Sequence, residues 1–176
     1  MRDPASVGYH ARNDLWAAYQ TRFLNSFNTA NPASDIRPLF LEEYDRQFQG
    51  TPVLIGEYHA PGARTGQRKD LAAMVAFAQD ASTLLTGFAF FEFQVRHDKG
   101  GSEMDFGMFS LGDYSFGDMY YFGTSFPVWC LMPVSSSDAA ASLPDALASA
   151  FGGAGVDPSE LCSSNPATLP LTADGF

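Results

Sequence analysis

Glu57 stands at the end of a run of apolar residues, in the stretch TPVLIGEYHAPG that covers residues 51–62. Residues 52–55 are typical of a buried parallel strand, and such a strand rarely ends in a carboxylate without a reason. A second apolar segment carries Glu92, and the loop after it carries Glu103 and Asp105. Carboxylates at strand ends are typical of acid and base chemistry on a neutral substrate, of which glycoside cleavage is the leading example. The alternative is a structural glutamate that faces solvent or makes a salt bridge.

The spacing of Glu57 and Glu92 suits this chemistry if their two strands are neighbours in one sheet. Adjacent strands lie about 4.8 Å apart, and the two carboxyl groups of a retaining glycosidase lie about 5–5.5 Å apart. One group protonates the leaving oxygen, and the other attacks the sugar or activates water.

Other chemistries have less support in the sequence. His59 and Asp105 are metal-ligand types, but no spaced cluster of His and Cys accompanies them, so we expect no metal and no cofactor. His10 and His97 lie among polar residues, which is typical of exposed side chains. The chain contains no G-x-S-x-G, P-loop or dinucleotide fingerprint.

Strands that alternate with helices would bring these carboxylates to one edge of a parallel sheet. The hydrophobic pattern predicts helices at 36–48 and 67–85, the second with Thr65 as its N-cap, and strands at 52–55 and 86–95. Right-handed crossovers would make the strands parallel, and sites on such sheets lie at the carboxyl ends of the strands.

The segment RFLNSFNTANP, residues 22–32, is open to two interpretations. Apolar residues at helical spacing favour one long helix that begins at Asp14, whereas the alternation of strands and helices favours a strand at 23–27.

After residue 100 the regular pattern of apolar residues gives way to a Gly-rich, aromatic stretch that we expect to be a loop. The composition shifts near residue 127, which predicts a unit at 1–126 and a mostly helical segment at 127–176, with a helix at 137–151 and a flexible tail.

The composition limits the classes of partner. The 176 residues are 45% hydrophobic and 14% aromatic, which supports a folded core. A net charge of −10 argues against a nucleic acid or an anionic membrane as partner. No run of 18 apolar residues is present, so no membrane span is expected, and the opening residues are too polar for a signal peptide. Cys130 and Cys162 allow one disulfide or two buried thiols.

The motif IGEYHA resembles the strand that ends in Glu-Tyr in clan A glycoside hydrolases, especially the β-1,3-glucanosyltransferases and the related β-1,3-glucanases. The resemblance implies that Glu57 is the nucleophile, at the end of the seventh strand of a (β/α)8 barrel, and that Tyr58 orients it and contacts substrate. GFAFFEFQV resembles the eighth strand of these enzymes, so Glu92 is expected to hold a donor sugar, with Phe93 and Gln94 beside it.

RFLNSFNTANP resembles the sixth strand of the same family, which favours the strand over the helix and implies that Asn28 lines the cleft. His59 departs from the glucanosyltransferases, which usually have Gly there. Residues 128–162 resemble the start of the cysteine-rich carbohydrate-binding module of plant-type β-1,3-glucanases. Trp129, Cys130 and the spacing to Cys162 fit that module, whereas two of its internal cysteines are absent.

Together the resemblances imply the last three strands of an incomplete (β/α)8 barrel, from a retaining hydrolase or transglycosylase that acts on β-glucan, with β-1,3 linkages favoured. The family's acid/base glutamate follows an Asn, and this chain contains no Asn-Glu dipeptide. We therefore expect a truncated catalytic domain, whose full-length form would be extracellular or in the cell wall. The alternatives are a glucan-binding or cell-wall protein without catalysis, and an inactive fragment.

Overall fold

The computed structural model describes residues 2–63, 66–137, 142–156 and 162. Its centre is a parallel sheet of three strands in the order β1 (Asn25–Thr29), β2 (Val53–Tyr58) and β3 (Leu85–Phe90). The described helices are α1 Leu15–Arg22, α2 Ala33–Ile36, α3 Glu42–Gln47, α4 Gln67–Gln79 and α5 Leu143–Ala150, and α2 continues into α3 through a π-helical turn, Arg37–Leu41. Short 3-10 turns lie at Pro4–Val7 and Gly101–Asp105. The predicted α/β class and its parallel strands are confirmed.

A bulge in β2 decides which way its last residues face. Phe27 pairs with Ile55, but the next residue of β1, Asn28, pairs with Glu57, so Gly56 is an extra residue in β2. An extra residue shifts the alternation of side chains by one position. As a result, Ile55 and Tyr58 share the buried face of the sheet, and Glu57 lies with Asn28 on the other face.

Helices cover one face of the sheet and form the core with it. The buried apolar residues of this core come from β2, from the α2–α3 run, from α4 and from α5; they include Ile36, Leu41, Val53, Ile55, Leu71, Met74 and Ala146. Burial of a side chain such as Ile or Met contributes about 1.5–3 kcal/mol. The opposite face of the sheet is open, with exposed side chains at Ser26, Asn28, Glu57 and Ala89.

The predicted elements exist, but several of their boundaries move. The helix predicted at 67–85 ends at Gln79, because Asp80 accepts a hydrogen bond from Ser82 N at 2.8 Å and closes a turn there. The strand predicted at 86–95 begins at Leu85 and ends at Phe90. Phe91 N still donates to Tyr58 O at the end of β2, but from Glu92 onward the chain bonds to residues 106–109 instead.

Upstream, the two interpretations of residues 22–32 each hold for one part of the chain. Asp14 caps α1 through a 2.9 Å bond from Ala17 N, but the helix ends at Arg22 and β1 follows, two residues later than the predicted strand. The helix predicted at 36–48 begins earlier, at Ala33, whose N–H donates to Asp70 Oδ1 at 2.7 Å. The N-cap predicted at Thr65 and the flexible tail lie outside the described residues.

The expectation of a loop after residue 100 is wrong for most of that stretch. Strand β4 (Phe109–Tyr121) pairs antiparallel with β5 (Thr124–Pro133) in a long hairpin, closed by a turn in which Phe122 and Gly123 have φ angles of 46° and 82°. Positive φ at both central residues is the geometry of the type I′ turn, which suits tight hairpins. The hairpin leaves several aromatic side chains exposed: Phe116, Tyr120, Tyr121, Phe122, Phe126 and Trp129.

The segment after residue 126 shares the fold of the preceding residues. The predicted boundary at 126/127 falls within β5, whose partner β4 lies before it. Helix α5, with a capping box of Ser142 and Asp145, packs on α4 and adds to the same core. Cys130 and Cys162 are joined in a disulfide with a Cα–Cα distance of 5.9 Å. Among the helices described, none is long and apolar enough to cross a membrane.

Candidate functional site

A cleft of about 520 Å³ opens at the carboxyl ends of β1 and β2. Its lining combines side chains from these two strand ends with side chains from the segment after β3: Asn28, Thr29, Ala30, Glu57, His59, Phe91, Arg96, Lys99, Glu103 and Phe106. Asn28 and Glu57, both predicted from the sequence, are therefore brought together in one cleft.

Asn28 and Glu57 are neighbours because of the register between their strands. The two residues are direct partners in the β1–β2 ladder, and both side chains are exposed on the open face of the sheet. The bulge residue Gly56 permits this close arrangement. A Cβ at Gly56 would lie 2.8 Å from Ser26 Oγ and 3.1 Å from Asn28 Oδ1, so a larger residue would push these side chains aside.

Glu92, predicted to hold a donor sugar, is not among the residues that line the cleft; it follows the lining residue Phe91 and is held there by backbone hydrogen bonds. Its N–H donates to Phe106 O at 3.0 Å, and its C=O accepts from Met108 N at 2.9 Å. The Phe91–Glu92 peptide is cis. The Oε1 atom of Glu92 is buried and makes no hydrogen bond to a described residue. Phe91 and Phe106, in contact with each other, form the aromatic part of the lining.

The charged side chains on the rim form ion pairs with their neighbours. Arg96 donates two bonds to Asp98, at 2.8 and 2.7 Å, and this pairing lowers the pKa of Asp98 to about 2. Lys99 pairs with Glu103 at 3.1 Å. Both cations of the rim are therefore engaged by carboxylates of the same segment.

The sequence did not predict the position of His59, which is buried in the lining of the cleft, next to Phe106. Its Nδ1 lies 2.8 Å from Phe106 O, and its Nε2 lies 2.8 Å from Nε2 of Gln67. Its ring also contacts Phe90 and Phe106. Burial lowers the pKa of His59 below its ordinary value of 6.5. The sequence shows only that a histidine follows Glu57 by two residues. It does not show which residues contact this histidine, because Phe106 is distant in sequence.

The prediction that Tyr58 contacts substrate is wrong. The bulge at Gly56 turns Tyr58 toward the helices, where its side chain is fully buried and its hydroxyl donates to Asp70 Oδ2 at 2.5 Å. Tyr58 is a core residue on the face of the sheet opposite to Glu57. Its position at the strand end, next to Glu57, gave no indication of the bulge.

Phe93 and Gln94 lie farther along the chain, outside the lining of the cleft. Phe93 is 57% exposed and packs against the ring of Phe109, and Gln94 forms an isolated bridge to the same residue. They mark the point where the segment after β3 joins the base of the hairpin. Contact with a ligand bound at Glu57 would require the ligand to extend past the Phe91–Phe106 wall.

No three His, Cys, Asp or Glu side chains in the described ranges are grouped so that they could hold a metal ion. Comparison with models of known protein families, with curated proteins and with solved structures found no match. The class of the protein therefore rests on its own fold and cleft. The chain is of the mixed α/β class, and its candidate site is an open cleft at the carboxyl ends of parallel strands, whose lining includes carboxylate, amide and aromatic groups.

Proposed function

We propose that the chain carries part of the active site of a retaining glycoside hydrolase or transglycosylase that acts on β-glucan, with β-1,3 linkages favoured. The observation that carries this proposal is the pairing of Asn28 with Glu57 at the strand ends that open on the cleft. Glu57 would attack the anomeric carbon to form a glycosyl-enzyme, and Asn28 would hold a sugar hydroxyl beside it.

The rest of the cleft supports a neutral, hydroxyl-rich ligand. Phe91 and Phe106 offer apolar surface to the faces of sugar rings, and the amide of Asn28 is a polar group in the same lining. The rim cations Arg96 and Lys99 are already paired with carboxylates, so they offer little to an anionic ligand.

The proposal also includes the fold: we infer that the sheet is part of an incomplete (β/α)8 barrel. Three parallel strands in sequential order, covered by helices on one face and open on the other, fit the last three strands of a (β/α)8 barrel. The acid/base group would then come from a strand other than these three. In the full-length protein we expect the enzyme to act outside the cell or in the cell wall.

A second candidate is a glucan-binding protein without catalysis. The observation that favours it is that Glu103, the other carboxylate lining the cleft, is engaged in an ion pair with Lys99, whereas a retaining enzyme needs a second carboxyl group to protonate the leaving oxygen. Such a protein would use the same cleft, and its binding would not depend on an ionised Glu57.

The test is turnover of a dinitrophenyl β-glucoside, whose leaving group departs without an acid, and binding of β-1,3-gluco-oligosaccharides, for the chain and for Glu57→Gln. We expect turnover to fall by at least about a thousandfold in this variant, because the amide is a poor nucleophile. Glu42→Gln, which changes an exposed glutamate of α3, is the matched control and should leave turnover unchanged.

The results separate the candidates. Binding without turnover, equal in the wild type and in Glu57→Gln, would replace the enzyme by the glucan-binding protein. If the wild type neither binds nor converts these sugars, both candidates fail.

A further inference from the structure

A second cavity, of about 790 Å³, opens at the edge of the sheet opposite to the cleft. Its lining includes Asn25, the first residue of β1, and Thr51, which lies just before β2. Asn25 is about 13 Å along β1 from Thr29, which lines the cleft. The two hollows share no lining residue, and this volume is within the range of small-molecule sites, about 300–1,000 Å³. We call this second hollow the amino-end cavity.

Four aromatic side chains line the amino-end cavity: Trp16, Tyr19, Phe23 and Phe48. Trp16 and Tyr19 lie one turn apart on α1 and their ring centroids are 5.5 Å apart, while Phe23 follows the helix with its ring 4.9 Å from Tyr19. Phe48 joins the lining from the end of α3 and is 43% exposed. None of the eight residues of α1 is buried. The aromatic residues at helical spacing on α1 therefore line this cavity instead of the core.

The polar part of the lining is rich in amides. Asn25, Gln47 and Gln49 carry amides, and Thr51 carries a hydroxyl. Asn25 Nδ2 donates to the Tyr44 hydroxyl at 2.6 Å, and this hydroxyl donates to Thr51 O at 3.0 Å, so this part of the wall is held in place. The described lining contains no carboxylate, although the chain has 20 acidic residues.

The charged residue of the lining is Arg2, from the start of the chain. Its guanidinium carbon lies 4.5 Å from the centroid of the Trp16 ring, and it makes no ion pair with a described residue. Arg2 therefore occupies the position over Trp16 that a cationic ligand would take. Its N–H groups can donate to oxygen atoms of a ligand.

This lining limits the chemical class of the ligand. A metal ion or an organic cation needs carboxylates, which are absent from the described lining, and Arg2 would repel it. A phosphorylated ligand needs more than one cation, and the net charge of −10 opposes an anion. A neutral ligand remains, with apolar faces for the aromatic rings and polar groups at its edge for the amides. A sugar ring has this form, since its faces carry C–H groups and its edge carries hydroxyls.

We propose that the amino-end cavity is a second binding site for a neutral oligosaccharide, separate from the cleft that contains Glu57. The identity of the sugar as β-1,3-glucan rests on the proposed function. Because the cavity and the cleft lie at opposite edges of the sheet, sugar bound in the cavity would be held on the protein without contacting Glu57.

The first test uses Trp16 as its own reporter. The chain contains two tryptophans, Trp16 and Trp129, so Trp129→Phe leaves Trp16 as the only one. We expect the fluorescence of this variant to change saturably when β-1,3-gluco-oligosaccharides are added. Titration of the same variant with benzoate, an aromatic anion that Arg2 could pair with, should give no change. A response to benzoate and none to the sugars would overturn the proposal.

Two further substitutions in the Trp129→Phe chain test the lining. Phe48→Ala should weaken the Trp16-detected affinity about tenfold, because it removes a ring from the lining. Gln49→Ala should weaken it about fivefold through a lost hydrogen bond, and its exposed side chain can be removed without disturbing the core. Gln79→Ala, an exposed glutamine of α4 outside the lining, is the matched control and should have no effect. A Trp16 response that ignores both lining substitutions would contradict the site.

Calorimetry with the same sugars separates this proposal from the proposed function. If both hold, the wild type should show two sites, of which Asn28→Ala weakens the cleft and Gln49→Ala weakens the other. Gln49→Ala should leave turnover of the dinitrophenyl β-glucoside unchanged, because Gln49 lies at the opposite edge of the sheet from Glu57.

The possible failures are distinguishable. A single site that is weakened by Asn28→Ala, without a change in Trp16 fluorescence, would overturn the second site and leave the proposed function standing. Binding that depends on Gln49 but not on Asn28, in a chain without turnover, would support the amino-end cavity and remove the proposed function. Absence of sugar binding by both methods would overturn both.

Discussion

At the scale of single residues, the hydroxyl of Tyr58 donates to a carboxylate that is buried with it. Asp70 accepts from Tyr58 and from Ala33 N, and burial raises the pKa of this carboxyl above 3.8. The stabilisation that the protonated carboxyl gives is complete below the pKa of an unfolded Asp, about 3.9, and is lost as the pH rises through the raised folded value. The Tyr58 bond lowers the pKa of Asp70 and so limits this loss.

Tyr58→Phe should therefore destabilise the chain in a pH-dependent way. We expect a cost of about 1–3 kcal/mol at neutral pH, where an ionised carboxylate loses a donor. The cost should be smaller near pH ~4, where Asp70 is more often protonated and the bond is weaker. The measurement is urea unfolding of wild type and variant at both pH values.

Tyr44→Phe is the control for this prediction. The Tyr44 hydroxyl also bonds inside the chain, but its partners are Asn25 and the carbonyl of Thr51, which do not titrate in this range. Its cost should be the same at both pH values. An equal cost for Tyr58→Phe at both pH values would show that Asp70 does not change its charge in the folded chain over this range.

Gly56 offers a second test at this scale. Its Cβ in Gly56→Ala would meet Ser26 Oγ and Asn28 Oδ1 at less than ordinary contact distance, so the variant should lose about 1–2 kcal/mol and displace Asn28. Gly87→Ala, on the neighbouring strand, meets Leu54 Cδ1 at an ordinary 3.6 Å and should be neutral within about 0.5 kcal/mol. Thermal unfolding of both variants measures the difference, and equal effects would contradict the close approach at the bulge.

At the scale of elements, the hairpin turn contains a residue in an unfavourable conformation. Phe122 has a φ of 46° and is 90% exposed, so it adopts the left-handed region with little burial in return, although its ring contacts the edge of the Tyr121 ring. Asn accepts this region readily, and Asn-Gly is the preferred pair for a type I′ turn. We expect Phe122→Asn to stabilise the chain by about 0.5 kcal/mol and to raise Tm.

Phe116→Asn serves as the control, because Phe116 is also exposed but lies within β4. Asn is unfavourable inside a strand, so this variant should be neutral or destabilised. If both substitutions lower Tm, the exposed ring of Phe122 makes contacts that outweigh the strain of its backbone.

The hairpin also shows why some elements escaped prediction. The runs that form β2 and β3 are apolar and contiguous, so a local pattern was enough to place them. In β4, glycines at 112 and 117 and aspartates at 113 and 118 interrupt the alternation of apolar and polar residues. The strand is held by pairing with β5, which a local pattern does not reveal.

At the scale of the whole molecule, the sequence predicted those residues of the site that lie at the ends of recognisable strands. Asn28 and Glu57 meet because parallel strands end at one edge, which the sequence pattern implies. Tyr58 was misplaced because its direction depends on a one-residue bulge, and the packing of His59 was missed because His59 and its partner Phe106 are 47 positions apart. Contacts of this kind depend on packing rather than on local pattern.

The sequential order of β1, β2 and β3 has a consequence for how the chain is made. Each strand pairs with the strand that precedes it, so the sheet can grow while the ribosome is still adding residues, and no strand has to wait for a later one. The cross-link between Cys130 and Cys162 is different, since it joins the hairpin to a residue translated well after it. In an oxidising compartment, this disulfide would therefore form after the parallel sheet has assembled.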